Sequence, residues 1–324
     1  MSKAIRFHEV GGPDVLRWED VEVGAPGPLE AQVRHLACGI NFVDVYQRSG
    51  LYQVALPSGA GTEGAGVVEA VGSGVTGFKP GDRVAYAGGP LGAYSERRNL
   101  PADRLCSLPE GISFEQGAAM MLKGMTVQYL IRRTYRVRPG DTVLFHAAAG
   151  GVGLIACQWL KALGAVVIGT AGSDEKCRLA ERHGAAHCIN YRTEDFVARV
   201  KEITGGEGVA VVYDSVGKDT FQGSIACLRP LGLMASFGNA SGPVPPVEPG
   251  LLAQHGSLYL TRPTLNTYVA KRADLEATAK ELFEVVLSGQ VKIAVERRYA
   301  LQDAAQAHRD LEARSTLGAG ILVP

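Results

Sequence analysis

The stretch from Thr142 to Gly164, TVLFHAAAGGVGLIACQWLKALG, constrains the fold of this chain more than any other. Val143 to Phe145 is an apolar run suited to a buried parallel strand. Ala147-Ala148-Ala149-Gly150-Gly151-Val152-Gly153 then forms a turn. Leu154, Ile155, Gln158, Trp159, Ala162 and Leu163 follow, with apolar residues recurring at helical spacing. Strand, glycine turn and helix together are the setting in which a glycine loop binds a dinucleotide. Glycine removes the Cβ that would block a pyrophosphate, and the unpaired N–H groups of the first helical turn face the phosphates. The spelling A-x-x-G-G-x-G differs from G-x-G-x-x-G, so the flanking strand and helix carry the assignment.

The rest of the chain supplies the partners such a unit needs. With 324 residues, 46% hydrophobic and 20% charged, two domains with real cores are expected. Lys+Arg and Asp+Glu both number 33, so no global basic field attracts nucleic acid or an anionic membrane. Cys38, Cys106, Cys157, Cys177, Cys188 and Cys227 are scattered with no C-x-x-C pair. That argues against zinc ribbons and disulfide frameworks, and fits a reducing compartment. The opening MSKAIRFHEVGG has no apolar signal-like core, and no apolar run is long enough to span a bilayer. A soluble, cytoplasmic protein is expected.

Before the glycine loop the pattern is short-stranded and rich in turns. Strands are expected at Ala4–Phe7, Leu16–Val23, Ala31–Leu36, Gly66–Val71, Arg83–Ala87 and Tyr94–Arg97, which suggests a barrel-like β domain. A helix is expected from Ser113, with Gln116 completing a capping box, through Met120. After the loop, strand and helix alternate. Strands are expected at Ala165–Thr170, His187–Asn190, Val209–Tyr213, Leu231–Phe237 and Ser257–Leu260, with helices at Ser173–His183, Thr193–Thr204 and Lys218–Cys227. This alternation implies a doubly wound parallel sheet, so the fold class is α/β. Gly242–Pro249 reads as a loop, Arg272–Ser288 and Leu301–Glu312 as helices, and Gly320–Val323 as a terminal strand that returns to the first domain. The expected division is 1–123 with 265–324, and 124–264.

The second strand of the parallel sheet selects the cofactor. It ends Gly169-Thr170-Ala171-Gly172-Ser173, with no acid at its tip to hold a ribose hydroxyl pair. Asp174 and Glu175 come at the helix start, where they favour the helix dipole. Ser173 can donate to a 2′-phosphate and Lys176 can supply a cation, so NADPH is expected over NADH. Tyr191, just past the third strand, can pack beside the adenosine phosphate.

These residues lie within a longer pattern. Gly39-Ile40-Asn41-Phe42-Val43-Asp44, Arg48-Ser49-Gly50-Leu51-Tyr52, Gly61-Thr62-Glu63-Gly64-Ala65-Gly66, Gly81-Asp82-Arg83-Val84, Leu122-Lys123-Gly124-Met125-Thr126, His146 to Gly153, Val212-Tyr213-Asp214-Ser215-Val216-Gly217 and Ser236-Phe237-Gly238-Asn239 carry it. Together they resemble the zeta-crystallin-like, zinc-free NADPH:quinone oxidoreductases of the medium-chain dehydrogenase/reductase superfamily, over almost the whole length. The resemblance implies a GroES-like β-barrel domain plus a Rossmann domain, with the active site in the cleft between them. It implies a substrate pocket of Asn41, Tyr46 and Tyr52. It also implies cofactor contacts from Asn41, Lys123, Thr126, Gly150, Gly151, Val152, Gly153, Ser173, Lys176, Tyr191, Ser215, Phe237, Gly238, Asn239, Arg262 and Arg314.

The same comparison bears on metals. Where zinc alcohol dehydrogenases of the superfamily place their catalytic ligands, this chain has Asn41, Thr62 and Leu122, and it lacks the four-cysteine lobe. Glu63 is retained. No metal is expected, so the acceptor must already be a good electron sink, such as a quinone. None of the implied site residues forms a Ser-His-Asp or Cys-His arrangement, so no nucleophile and no covalent intermediate are expected. The alternative within enzymes is an NADPH-dependent reductase of activated C=C bonds in enals, enones or enoyl thioesters. The alternative outside enzymes is a crystallin-like or RNA-binding protein, which the neutral charge disfavours. The segment 256–262 reads as a sheet-edge strand, which in the family pairs with its copy in a homodimer.

Overall fold

The computed structural model describes residues 1–313 and 316–324, and the chain packs into two units. One comprises 1–125, 268–287 and 293–324; the other comprises 126–267 and 288–292. The expected division of 1–123 with 265–324 and 124–264 differs by two or three residues at each junction, and by the short return of 288–292 to the second unit.

In the first unit, strands in the spatial order Val295–Ala300, Ala319–Val323, Glu30–Gly39, Glu63–Val71, Arg83–Ala87 and Cys106–Ser107 form a sheet, with Arg97–Pro101 added beside Glu30–Gly39. A smaller sheet joins Arg17–Val21, Ser2–Phe7 and Ser58–Gly59. Alternation drives both layers: Val33, Val68, Val84, Tyr86 and Leu100 fill one core, and Ile5, Phe7, Ile40, Tyr94, Leu301 and Leu322 another. Two expectations are corrected here. Tyr94–Arg97 is not the strand; Ser95 makes one bridge to Ala4 and the strand runs Arg97–Pro101. The helix that begins at the Ser113–Gln116 capping box does not stop at Met120 but continues as Phe114–Tyr129, then widens into a π-helical turn at Leu130–Thr134.

The second unit is built on a parallel sheet, ordered His187–Asn190, Val166–Ala171, Thr142–Phe145, Val209–Asp214, Leu228–Ser236 and Tyr259–Thr261. Thr142–Phe145 has Val143 in register with Val167 on one side and Val211 on the other. Strand order reverses at this central strand, and in sheets of this kind ligands bind beyond the carboxyl ends at such a reversal. Helices Gly151–Ala162, Asp174–Arg182, Phe196–Ile203 and Phe221–Cys227 make the crossovers. The core of Leu144, Ile168, Val212, Ile225 and Met234 is buried between sheet and helices.

Candidate functional site

In the second unit, every strand of the parallel sheet delivers an expected cofactor residue at its carboxyl end. Gly150–Gly153 follow Thr142–Phe145, Ser173 and Lys176 follow Val166–Ala171, and Tyr191 follows His187–Asn190. Ser215 follows Val209–Asp214, Phe237–Asn239 follow Leu228–Ser236, and Arg262 follows Tyr259–Thr261. Thr126 is buried on the helix Phe114–Tyr129. Arg314 lies outside the described residues.

The glycine loop is shaped as its sequence requires. Ala147 adopts φ +53°, the left-handed region that a non-glycine residue enters at a cost, and Gly150 N–H closes the turn on the Ala147 carbonyl at 2.9 Å. Helix Gly151–Ala162 starts at Gly150 with no side-chain cap. Its first N–H groups are therefore left without a side-chain acceptor, which is the arrangement an anionic pyrophosphate completes. The next helix, in contrast, is capped: the Ser173 hydroxyl accepts the Lys176 N–H at 3.3 Å. That bond uses an oxygen lone pair and leaves the Ser173 O–H free to donate. Asp174 accepts the Asn190 amide at 2.7 Å, so the carboxylate nearest the strand tip is engaged within the fold. Gly172 gives room to the Tyr191 hydroxyl, which a Cβ would meet at 2.7 Å. Gly238 likewise packs on Ser215, whose carbonyl oxygen would lie 2.4 Å from a Cβ.

Sequence reasoning missed a buried polar spine beneath these loops. His146 Nδ1 meets Thr170 Oγ1 at 2.8 Å and Nε2 meets Ser224 Oγ at 2.9 Å, while the Ser224 hydroxyl donates to Asp214 Oδ2 at 2.9 Å. Serine, histidine and aspartate meet here, outside the expected site residues and in the wrong order for a nucleophile. The serine donates to aspartate, so it accepts from His146 Nε2–H, and Thr170 donates to Nδ1. Burial holds the His146 pKa below its ordinary value, against the pull of Asp214. The neutral ring ties Thr170 of the strand Val166–Ala171 to Ser224 of the helix Phe221–Cys227, and through Ser224 to Asp214. Asp214 also accepts the N–H groups of Val216 and Gly217 at 2.8 and 3.0 Å, which fixes the turn carrying Ser215.

The first unit gathers the rest. Asn41 precedes the short helix Phe42–Arg48, whose start is secured by the Asp44 carboxylate accepting the Asn41 N–H at 2.9 Å. Asn41 Nδ2 donates to Glu63 Oε2 at 2.7 Å, Lys123 Nζ donates to the same oxygen at 3.2 Å, and Leu122 N–H donates to Oε1 at 2.7 Å. Tyr46 and Tyr52 meet edge to face, with centroids 5.3 Å apart. Asn41, Lys123, Tyr46 and Tyr52 are thus brought together through one helix and one carboxylate. The Thr62 hydroxyl donates to Asp44 Oδ1 at 3.1 Å. An amide and a hydroxyl, each bound to a carboxylate, and an apolar Leu122 are poor zinc ligands. No group of three or more candidate metal-binding side chains exists among the described residues.

The same helix anchors a second network that the sequence did not reveal. Arg48 is buried, pairs with Glu312 at 2.7 and 3.0 Å, and donates to His308 Nδ1 at 3.3 Å. His308 Nε2 meets Tyr94 Oη at 3.2 Å, and the Tyr94 hydroxyl donates to Asp44 Oδ2 at 2.8 Å. Donation therefore runs one way, from Arg48 through neutral His308 and Tyr94 to Asp44. Burial, with the Arg48 charge, drives the His308 pKa down to about 3. Burial pushes the Asp44 carboxyl up to about 7, with hydrogen bonds from Tyr94, Asn41 N–H and Thr62 opposing and the Glu63 charge reinforcing the rise.

One unit carries an ordered amide–carboxylate–ammonium cluster and the other a parallel sheet with an uncapped glycine helix, the two parts that a nucleotide-dependent oxidoreductase needs. Residues 27–110 match the family described as alcohol dehydrogenase GroES-like domain, and residues 151–284 match that described as zinc-binding dehydrogenase. A quinone oxidoreductase of Pseudomonas aeruginosa is 57% identical, covering 100% of both chains. A 2-haloacrylate reductase of Burkholderia sp is 46% identical, covering 100% of this chain and 99% of its own. The crystal structure of Escherichia coli quinone oxidoreductase complexed with NADPH superposes with a TM-score of 0.98 at 54% identity, over 99% of this chain and 100% of that one. The chain belongs to the medium-chain dehydrogenase/reductase superfamily and, within it, to the quinone oxidoreductase family.

Proposed function

We propose that this protein is a zinc-independent NADPH:quinone oxidoreductase. The observation that carries the reading is the commitment of Asn41 to Glu63 and of Thr62 to Asp44. Positions that could have held a Lewis acid instead belong to a closed hydrogen-bond network, so the acceptor must itself be ready to take electrons. NADPH, when bound, supplies the hydride. The helix Gly151–Ala162 turns its first N–H groups, which no side chain caps, to the pyrophosphate of NADPH, and Ser173 and Lys176 hold its 2′-phosphate. Phe237–Asn239, Ser215, Thr126 and Arg262 complete its cradle. Tyr46 and Tyr52 offer flat faces to a planar acceptor, and Asn41 and Lys123 direct polar hydrogens at the reacting end. The relatives named quinone oxidoreductase, one of them crystallised with NADPH, support this reading.

The 2-haloacrylate reductase relative favours a second reading, reduction of an activated C=C bond, which needs the same cofactor cradle. We further infer a cytoplasmic homodimer. Free cysteines suit a reducing compartment, and Tyr259–Thr261 is an edge strand with Tyr259 and Leu260 exposed. No helix among the described residues is long and apolar enough to cross a membrane. Adding 1,4-benzoquinone to protein and NADPH should give sustained cofactor oxidation. Absence of turnover with quinone and enone alike, together with tight, salt-sensitive RNA binding, would replace the enzymatic reading with a binding role.

A further inference from the structure

We propose that Glu63 is the positioning residue of the reductase site: its Oε2 holds the Asn41 amide and the Lys123 ammonium side by side and fixes which atoms they present. The inference rests on the NADPH-dependent reductase reading above. Glu63 is fully buried and accepts three donors, from the start of the helix Phe42–Arg48 and from the helix Phe114–Tyr129. A carboxylate can only accept, so the amide nitrogen of Asn41 must turn toward it and the amide plane has one allowed orientation. The backbone reserves space for this group. A Cβ at Gly39 would lie 2.1 Å from Glu63 Oε2 and 2.3 Å from the Ala118 carbonyl oxygen, although Gly39 lies in ordinary extended strand. Glycine at 39 is therefore required by the carboxylate and the neighbouring helix rather than by a turn. Stability alone does not call for this arrangement, because apolar residues of similar volume generally replace a buried ion pair without loss.

Lys123 gives the cluster its counter-charge. Its ammonium is bound to the same carboxylate oxygen as the Asn41 amide. Replacing Glu63 by Gln keeps the shape and the bond from Leu122 N–H, but it offers an N–H to Asn41 and removes the charge opposite Lys123. The Asn41 amide must then rotate. Exchanging the pair, as Asn41→Asp with Glu63→Gln, restores a donor–acceptor bond with its polarity reversed and restores an anion for Lys123.

The test compares the full-length wild type, E63Q, the N41D/E63Q exchange and E63Q/K123M. NADPH oxidation with 1,4-benzoquinone is followed, together with affinity for 2′,5′-ADP, which reports only on the cradle of the second unit. E63Q should lower kcat about tenfold to a hundredfold, as expected for a misplaced site group, with 2′,5′-ADP affinity unchanged. The exchange should recover part of kcat. If E63Q fails to fold, E63Q/K123M removes both buried charges together and should be folded and slow. Wild-type kcat in either variant would overturn the proposal, as would an exchange that restores thermal stability but none of the rate. A wild-type protein silent with benzoquinone would count against the quinone reading instead. The same comparison is then made with a small enone, where the same fall is expected.

Discussion

Two glycines three residues apart in the loop should respond differently to the same methyl group. At Gly153 an added Cβ would lie 2.4 Å from the Ala147 carbonyl oxygen, 2.5 Å from that of Ala148 and 2.6 Å from the Ala148 carbonyl carbon. All three are backbone atoms of the loop, and each distance is about 1 Å short of ordinary contact. Gly153→Ala must push the helix Gly151–Ala162 away from its strand, at about 2–3 kcal/mol. A fall in Tm of about 4–8 °C follows. At Gly150 the Cβ would meet only the Ala147 carbonyl oxygen, at 3.2 Å, and φ is −80°, which alanine tolerates. Gly150→Ala should therefore cost under about 1 kcal/mol, yet still obstruct a pyrophosphate approaching the helix start. Differential scanning fluorimetry and NADPH fluorescence titration separate the two effects. Gly153→Ala should lose stability and affinity together, whereas Gly150→Ala should lose about tenfold in affinity with Tm nearly unchanged. Equal Tm for both variants would refute the packing argument. Wild-type NADPH affinity in Gly150→Ala would refute the pyrophosphate assignment.

Lys176→Ala should weaken NADPH about tenfold to a hundredfold, the worth of a charge-assisted hydrogen bond, and leave NADH almost unaffected in parallel titrations. Equal losses would remove Lys176 from the 2′-phosphate site. Stability should fall as pH drops from 6.5 toward 4. Burial lowers His35 to about 4 and His308 to about 3, so the unfolded chain takes up protons that the folded chain refuses. Asp44, raised from 3.8 to about 7, opposes them, since there the folded chain keeps a proton the unfolded chain has lost. His35 and His308 against Asp44 leave about 1.4 kcal/mol per pH unit; His146, also held low by burial, steepens the fall, and His308→Gln should flatten it in urea titrations. An unchanged slope would contradict the assignment of His308 as a buried neutral ring. Leu260→Asp places a charge on the exposed edge strand Tyr259–Thr261 and should shift the sedimenting species from dimer to monomer. A wild type that already sediments as a monomer would exclude the dimer.

What could be read from the sequence was local in the chain. The glycine loop, the uncharged tip at Ala171–Gly172 and the helix start at Ser173 each lie within a few residues, and local pattern specifies them. The full length of the helix Phe114–Tyr129 is not local information: a Cβ at Gly124, inside it, would lie 2.4 Å from Leu282 Cδ1, so its continuation goes with close packing against a distant residue. The strand Arg97–Pro101 was displaced because Arg97, Arg98 and Asn99 are polar. Arg98 is nonetheless buried, with its guanidinium over the Tyr86 ring at 5.8 Å. Val295–Ala300 went unread because Glu296, Arg297 and Arg298 face outward and hide the alternation. The networks around Asp44 and His146 were not legible because their members are brought together only by the fold. Asp44, Tyr94 and His308 are far apart in sequence, and no motif links Thr170, Ser224 and Asp214 to His146. Glu63 could be located by its place in the Gly61–Gly66 block, but its grip on both Asn41 and Lys123 required the geometry.

The central claim is that the site held together by the Asn41–Glu63 and Thr62–Asp44 pairs is built to reduce quinones. A one-pot competition tests it most directly: limiting NADPH, equal concentrations of 1,4-benzoquinone and a small enone, and quantification of hydroquinone against saturated ketone. The account predicts hydroquinone as the dominant product. Saturated ketone in excess would contradict it and transfer the assignment to the reduction of activated double bonds.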